Sequence, residues 1–298
     1  MTREIDIRIG TLVGGNSDAP STYIKQILPH GFESISITFW QTTGGVDLAR
    51  SAELVMEALA GRNVTVSTLG IFGNPLEHEA IDHETLAAWE ALIDNAHLFG
   101  CNIVSGFTGR VRGKSIADSM PRFAEVFGEL ARRAEDKGVR LAFENCAMGG
   151  NWASGDWNLA HNPKAWELMF DAVPSDALGL EWEPCHQMVQ LIDPIPQIRK
   201  WANKIFHVHG KDATIRRDII AEHGIGGPAD WCWHRTPGFG DTDWTTVISE
   251  LRWAGFTGAI DIEGWHDPVY RGDLEMTGQV YGLNYLKRCR GEFVANPV

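Results

Sequence analysis

Residues 140–145 read Arg140-Leu141-Ala142-Phe143-Glu144-Asn145, a short apolar run suited to a strand covered on both faces that ends abruptly in a carboxylate. The pattern recurs three times downstream. Gly179-Leu180-Glu181-Trp182-Glu183-Pro184-Cys185-His186, Ile205-Phe206-His207-Val208-His209-Gly210-Lys211-Asp212 and Ala259-Ile260-Asp261-Ile262-Glu263-Gly264 each begin as buried strands and finish in side chains that bind metals or protons. Upstream, β-branched runs at Ile5–Gly10, Ser34–Phe39, Val64–Leu69 and Asn102–Ser105 bring the predicted strands to eight, counting Arg140–Glu144, Ala177–Glu183, Lys204–His209 and Ala259–Glu263. Between them, apolar residues at helical spacing predict amphipathic helices over Asp47–Leu59, His83–Phe99 and Ile116–Ala134. Gly61, Gly100 and Gly138 punctuate their ends, and Asn162-Pro163 opens another.

Eight strands alternating with helices, without a linker, predict an α/β fold of the (β/α)8 TIM-barrel type as one domain over residues 1–298. A doubly wound sheet is the competitor. The first turn, Gly14-Gly15-Asn16, lacks a full GxGxxG, and no GxxxxGK occurs. In a barrel the polar strand ends converge on one mouth.

Composition narrows the chemistry. The 298 residues carry 26 Lys plus Arg against 39 Asp plus Glu, a net charge of −13, and basic residues cluster only in short pairs, which argues against a nucleic-acid partner. Five cysteines, widely spaced and without CxxC, argue against a disulfide framework. No apolar run approaches the ~18 residues of a spanning helix, and the start lacks a signal peptide's apolar core, so the expectation is a cytoplasmic chain without a membrane partner. The 12 Trp are the one oddity. Trp152, Trp157, Trp182, Trp231, Trp233 and Trp265 are read as loop residues, able to line a site for the apolar face of a sugar or another flat ligand.

Glu144, Glu183, His209 and Glu263 supply three carboxylates and an imidazole, a set suited to a divalent cation, Mn²⁺ first, with Mg²⁺, Co²⁺ or Zn²⁺ as alternatives. Three carboxylates crowded into a water-poor mouth repel one another, and a cation relieves this. Strand alternation also puts His207, His209 and Lys211 on one face. Any one of these residues has an ordinary reading: a helix cap or salt bridge for a glutamate, a satisfied core histidine for His207, a helix cap for His186, a local ion pair for Lys211 with Asp212. Four such accidents at four successive strand ends are a poor explanation.

These segments resemble the sugar phosphate isomerase/epimerase group of the xylose-isomerase-like TIM-barrel superfamily, which includes the ketose 3-epimerases. The matching pieces are Phe143-Glu144-Asn145, the 179–186 segment against GLxxDPxH, His207-Val208-His209-Gly210-Lys211-Asp212, the segment from Arg235 to Trp244 against RxPGxGxxDW, and Ile262-Glu263 with Asp267-Pro268 against IExxDP. The resemblance implies a metal on Glu144, Glu183, His209 and Glu263, catalytic carboxylates Glu144 and Glu263 on opposite sides of the sugar carbon, and His186 near the substrate oxygens. His207, Lys211, Arg216 and Trp265 complete the candidate substrate contacts. The chain departs from the pattern at Glu183, where the family has Asp, and at Trp265-His266. An arginine that touches substrate in the ketose epimerases has no clear counterpart here.

The implied chemistry is removal of a proton α to a ketose carbonyl, with the cation polarising the carbonyl and stabilising the enediolate. Return to the opposite face epimerises the carbon, and return to the neighbouring carbon isomerises the sugar. A leaving group β to the carbonyl gives the alternative outcome, lyase cleavage of a 3-keto-glycoside, which some relatives carry out with a small partner subunit. A nuclease of the apurinic type needs histidines on early strands, where Thr38, Trp40, Gly73 and Asn74 stand instead. A non-catalytic sugar-binding protein is the remaining reading. Arg110 with Arg112, or Arg216 with Arg217, are candidates for a substrate phosphate, and the tryptophans serve equally for a homo-oligomer interface.

Overall fold

The structure is a computed structural model that describes residues 6–16, 20–292, 294 and 297. Eight parallel strands close a barrel: β1 (Arg8–Gly14), β2 (Ser34–Trp40), β3 (Thr65–Phe72), β4 (Ile103–Gly106), β5 (Arg140–Glu144), β6 (Leu178–Trp182), β7 (Ile205–Gly210) and β10 (Ala259–Ile262), with β10 pairing both β7 and β1. A separate antiparallel ribbon of β8 (Asp212–Ile215) and β9 (Cys232–Arg235) follows β7 directly. Among the described residues the helices are α1 (Pro20–Ile27), α2 (Leu48–Leu59), α3 (Ala80–Asn95), α4 (Ile116–Lys137), α5 (Pro163–Ala172), α6 (Pro184–Met188), α7 (Pro194–Trp201), α8 (Arg217–His223), α9 (Trp244–Trp253) and α10 (Glu275–Arg290). No helix among them is long and apolar enough to cross a membrane.

The predicted barrel is the observed one, and β5 has the predicted bounds. The largest displacement is at the first strand, where Ile5 lies outside the described residues and the ladder runs to Gly14 rather than stopping at Gly10. Gly10 is a point of close approach, not a turn. A Cβ there would fall 2.1 Å from the Ser34 carbonyl oxygen and 2.2 Å from Asp261 Oδ1, so only glycine lets β2 and β10 close on β1. Gly70 likewise lies inside β3, which continues to Phe72.

Local rules place the helices that aim the site. The side chain of Ser115 accepts from the Asp118 amide at the start of α4, and Gly138 ends it at φ 67°, where a side chain is strained. Phe123 and Phe127 on the buried face of α4 meet Phe143 of β5 with ring centroids 6.0 and 4.9 Å apart. Each fully buried phenylalanine contributes about 1.5–3 kcal/mol. Because Phe143 is committed to the helix layer, strand alternation turns Glu144 into the barrel. Trp182, read from sequence as a loop residue, is a β6 core residue whose indole N–H donates to Gln187 Oε1 at 3.0 Å.

Candidate metal centre and substrate cavity

The carboxyl ends of β5, β6, β7 and β10 deliver Glu144, Glu183, His209 and Glu263 to one point. Each offers a ligand atom within 4.8 Å of all the others, and all four side chains are buried. The Nδ1 atom of His209 lies 3.4 Å from Glu144 Oε1, 3.7 Å from Glu183 Oε2 and 3.4 Å from Glu263 Oε2. Two asparagines fix the strand ends. Asn145 accepts from the Glu183 amide at 2.7 Å and donates to the Glu183 carbonyl at 2.9 Å, locking β5 to β6 beyond the ladder. Asn158 donates to the Glu144 carbonyl at 2.8 Å and accepts from the Thr108 hydroxyl at 2.7 Å.

The electrostatics are those of crowded, buried carboxylates beside one lysine. Burial pushes the Glu183 carboxyl up to about 8, against the pull of Lys211 and with the help of the Glu263 and Glu144 charges. Burial also opposes charge on Glu263, but Lys211 and His209 hold it well below the usual carboxylate range. Lys211 Nζ donates to Glu263 Oε1 at 3.1 Å and lies 3.6 Å from Glu183 Oε1. Against the opposition of burial, the Glu183 and Glu263 charges keep Lys211 protonated far above its ordinary value. Burial and the Lys211 charge drive His186 well below its normal value and His234 down to about 4, so both are neutral near pH 7. His186 Nε2 stands 3.3 Å from Glu183 Oε1, and His266 Nε2 2.9 Å from Glu263 Oε1.

Both oxygens of Glu183, Oε2 of Glu263 and both ring nitrogens of His209 are buried without a hydrogen bond. Orphaned polar atoms of this number cost several kcal/mol unless something satisfies them. Three carboxylates and an imidazole fit a divalent cation of the Mn²⁺ or Mg²⁺ kind, and the residues present therefore suit the group that the sequence implied.

Above the cluster opens a cavity of about 670 Å³ with two unlike halves. The polar half comes from β5, β7, the turn into α6, the ribbon and the loop after β10. Leu12, Trp40, Phe72, Phe107 and Met148 form the apolar half with Trp265. The Trp40 indole packs on Trp157 and Phe107 at 5.6 and 6.4 Å between centroids, yet half of its surface remains exposed.

The sequence profile of the xylose isomerase-like TIM barrel matches residues 24–289. The chain belongs to that family. Among curated proteins, the uncharacterized protein YfiH of Bacillus subtilis (strain 168) is 25% identical over 271 residues, covering 76% of this chain and 83% of that protein. Among the solved structures that share the fold are three sugar epimerases. An L-ribulose 3-epimerase superposes with TM-score 0.66 at 17% identity, covering 95% of this chain and 92% of that one. The 3-keto-D-glucoside 4-epimerase YcjR from E. coli gives 0.71 at 13%, covering 95% and 100%. The D-psicose 3-epimerase of Clostridium cellulolyticum H10, solved with D-tagatose, gives 0.71 at 14%, covering 95% and 99%.

Within this xylose isomerase-like barrel, the structure gathers Glu144, Glu183, His186, His209, Lys211, Glu263 and Trp265 at or beside the cavity. It does not bring Arg216 there. That guanidinium pairs with Asp218 at 2.6 Å and lies over the Trp233 ring. His207 is equally apart, beneath the cluster, with Nδ1 on Glu181 at 2.8 Å and Nε2 on Asp261 at 2.7 Å. It lines instead a second cavity of about 440 Å³ that also contains Arg8 and Arg140. Arg110 is spent on the carbonyls of Lys114, Asn151 and Trp152, and Arg112 on Asp82. Asp212 does not pair with Lys211. It accepts from the Thr242 and Gly238 amides and the Trp244 indole, tying the 236–244 loop to the barrel. Sequence reasoning missed His234, Phe107 and Met148 as cavity residues, because ribbon and loop positions carry no periodicity, and Phe72 because the third strand was expected to end at Leu69. Asn145 had a signal, its place next to Glu144 in a motif already singled out.

Proposed function

We propose that the protein is a divalent-metal-dependent sugar isomerase or epimerase that removes a proton α to a ketose carbonyl. The observation that carries this reading is the placement of Glu144 and Glu263, on β5 and β10, at equal 3.4 Å distances from His209 Nδ1 and facing one cavity. Glu144, Glu183, His209 and Glu263 would hold the cation, which when bound supplies Lewis-acid polarisation of the substrate carbonyl.

The chain's own groups do the rest. One glutamate, ionised, takes the α-proton; for epimerisation the other, protonated, gives its own proton to the opposite face so that the two exchange protonation states, and for isomerisation the first returns its proton to the adjacent carbon. Lys211, held charged and aimed at Glu263, keeps that glutamate ionised and can donate a hydrogen bond to a substrate oxygen. His186 and His234, both neutral, can donate to or accept from sugar hydroxyls without adding charge. The apolar half of the cavity shields the carbanionic stage from water. Incubation with Mn²⁺ and a panel of ketoses in D₂O, followed by proton NMR, tests the reading. Deuterium at the α-carbon and a new epimer or isomer are expected, and a full panel without exchange in metal-loaded protein refutes it.

A second reading is supported by Trp40, Phe72, Phe107 and Trp265, which offer more apolar surface than a free monosaccharide can use. On a 3-keto-glycoside the same proton removal expels the aglycone by β-elimination, and the protein is a lyase. Release of free aglycone from a 3-keto-glucoside with an aromatic aglycone, lost in Trp40→Ala, favours this outcome; unchanged glycoside with turnover of free ketoses favours the first.

A further inference from the structure

Below the metal-site residues the barrel interior is not filled by hydrocarbon. Asp261, His207 and Glu181 form a continuous polar row from β10 through β7 to β6, and none of the three exceeds 1% exposure. His207 sits between the two carboxylates, Nε2 at 2.7 Å from Asp261 Oδ2 and Nδ1 at 2.8 Å from Glu181 Oε1. His207 thus bridges the two carboxylates, one ring nitrogen to each. The hydroxyls of Ser34 and Ser67 donate to Asp261 from the other side, and the absence of a side chain at Gly10 makes room for it. Glu181 is thus pinned by a partner that is itself pinned. The same Glu181 Oε1 lies 3.2 Å from His209 Nε2, on the far side of the ring from Glu144, Glu183 and Glu263. The register of β6 against β7 shifts between Leu180 and Glu181, and this shift sets Glu181 opposite His207.

We propose that Glu181, held by His207 and Asp261, is a positioning residue for the metal site: its Oε1, 3.2 Å from His209 Nε2, is the acceptor toward which that N–H turns when His209 ligates, and this leaves the Nδ1 lone pair facing the three carboxylates. An imidazole carries two nitrogens, and a ligand is made only if the right one is free; a carboxylate behind the ring settles this and raises the basicity of the nitrogen in front. This rests on the metal reading above.

The test measures Mn²⁺ affinity and stoichiometry by calorimetry in wild type, Glu181→Leu and Glu181→Gln, and records nitrogen-15 histidine NMR on Zn²⁺-loaded wild type. Glu181→Leu should bind Mn²⁺ about 10- to 100-fold more weakly. Glu181→Gln keeps an acceptor oxygen behind the ring and should recover most of that loss, which a role in packing alone does not predict. The Zn²⁺-loaded spectrum should place the metal on His209 Nδ1 and a proton on Nε2. Wild-type affinity in folded Glu181→Leu, or metal on Nε2, overturns the inference while leaving the metal site intact. Two cations per wild-type chain and one in Glu181→Leu also overturn it, since Glu181, His207 and His209 would then be ligands themselves. Should Glu181→Leu not fold, the Gln variant and the wild-type spectrum decide. Wild type that binds no divalent cation refutes the metal reading instead.

Discussion

The raised carboxyl of Glu183 makes cation binding a proton-exchange reaction, and its pH dependence can be worked out. The folded value is about 8 against an ordinary 4.5, so 8 − 4.5 = 3.5 pH units separate them. At about 1.36 kcal/mol per unit, burial and the neighbouring carboxylates withhold roughly 5 kcal/mol from the ionised form in metal-free protein. A dication must expel that proton. At pH 6.5, 1.5 units below about 8, this group alone weakens apparent Mn²⁺ affinity about thirtyfold relative to its alkaline plateau. His209 steepens the slope, because Glu181 and Glu144 overcome burial and hold its imidazolium well above the ordinary value.

The stability of metal-free protein follows with a definite sign. A group whose folded pKa lies above its unfolded value stabilises fully below the unfolded value and ceases to do so as pH rises through the folded one. Glu183 and His209 both act in this sense, so between pH 6.5 and about 8 the metal-free protein should lose thermal stability and the metal-loaded protein should not. Calorimetry of Mn²⁺ binding in buffers of different ionisation enthalpy counts the released protons, and scanning fluorimetry follows the stability. Affinity that is flat from pH 6.5 to 8, with no proton released, refutes the assignment of Glu183 to a crowded anionic site.

Glu144→Gln and Glu263→Gln, made separately, should each abolish exchange of the substrate α-proton with deuterium, and full exchange in either removes that glutamate as a base. Asn145→Ala strips both hydrogen bonds from the buried Glu183 backbone and should cost about 2–4 kcal/mol in urea unfolding together with weaker Mn²⁺ binding. Gly10→Ala puts a methyl group against the Ser34 carbonyl and Asp261, with an expected loss of about 1–3 kcal/mol; a wild-type midpoint would show that β1 and β2 can separate there without penalty. Chelation with EDTA should end turnover, and added Mn²⁺ should restore it.

Legibility differed sharply between elements. Where a strand is buried on both faces and ends in a charge, as at Phe143-Glu144, composition marks both the element and its terminus, because a carboxylate cannot sit inside an apolar run without a reason. The interior glycines of β1 and β3 misled in the opposite direction: Gly10 and Gly70 look like breakers, and only packing explains why a side chain is excluded there, by Ser34 and Asp261 of the neighbouring strands at Gly10 and by the Phe72 ring at Gly70. The β8–β9 ribbon went unforeseen because its two strands pair across α8, a non-local match that no local pattern encodes. His207 and His209 are alike in sequence, alternate residues on one strand facing inward. Depth along the barrel separates them, one enclosed by Glu181 and Asp261 and the other reaching the cavity.

Alternation of buried runs with amphipathic helices was enough to specify a closed parallel barrel, since hydrophobic period and chain punctuation act over a few residues and survive in a linear string. The ligand set was legible for the same reason, as four strand ends each carried their own anomaly. Which inward residues meet each other, which of two histidines touches the cavity, and how an aromatic wall from β1–β4 faces the carboxylates of β5–β10 depend on register and on distances between segments more than 250 residues apart, such as the Thr11 hydroxyl on the Ile262 carbonyl at a separation of 251. Those relations arise only when the strands pair and the barrel closes.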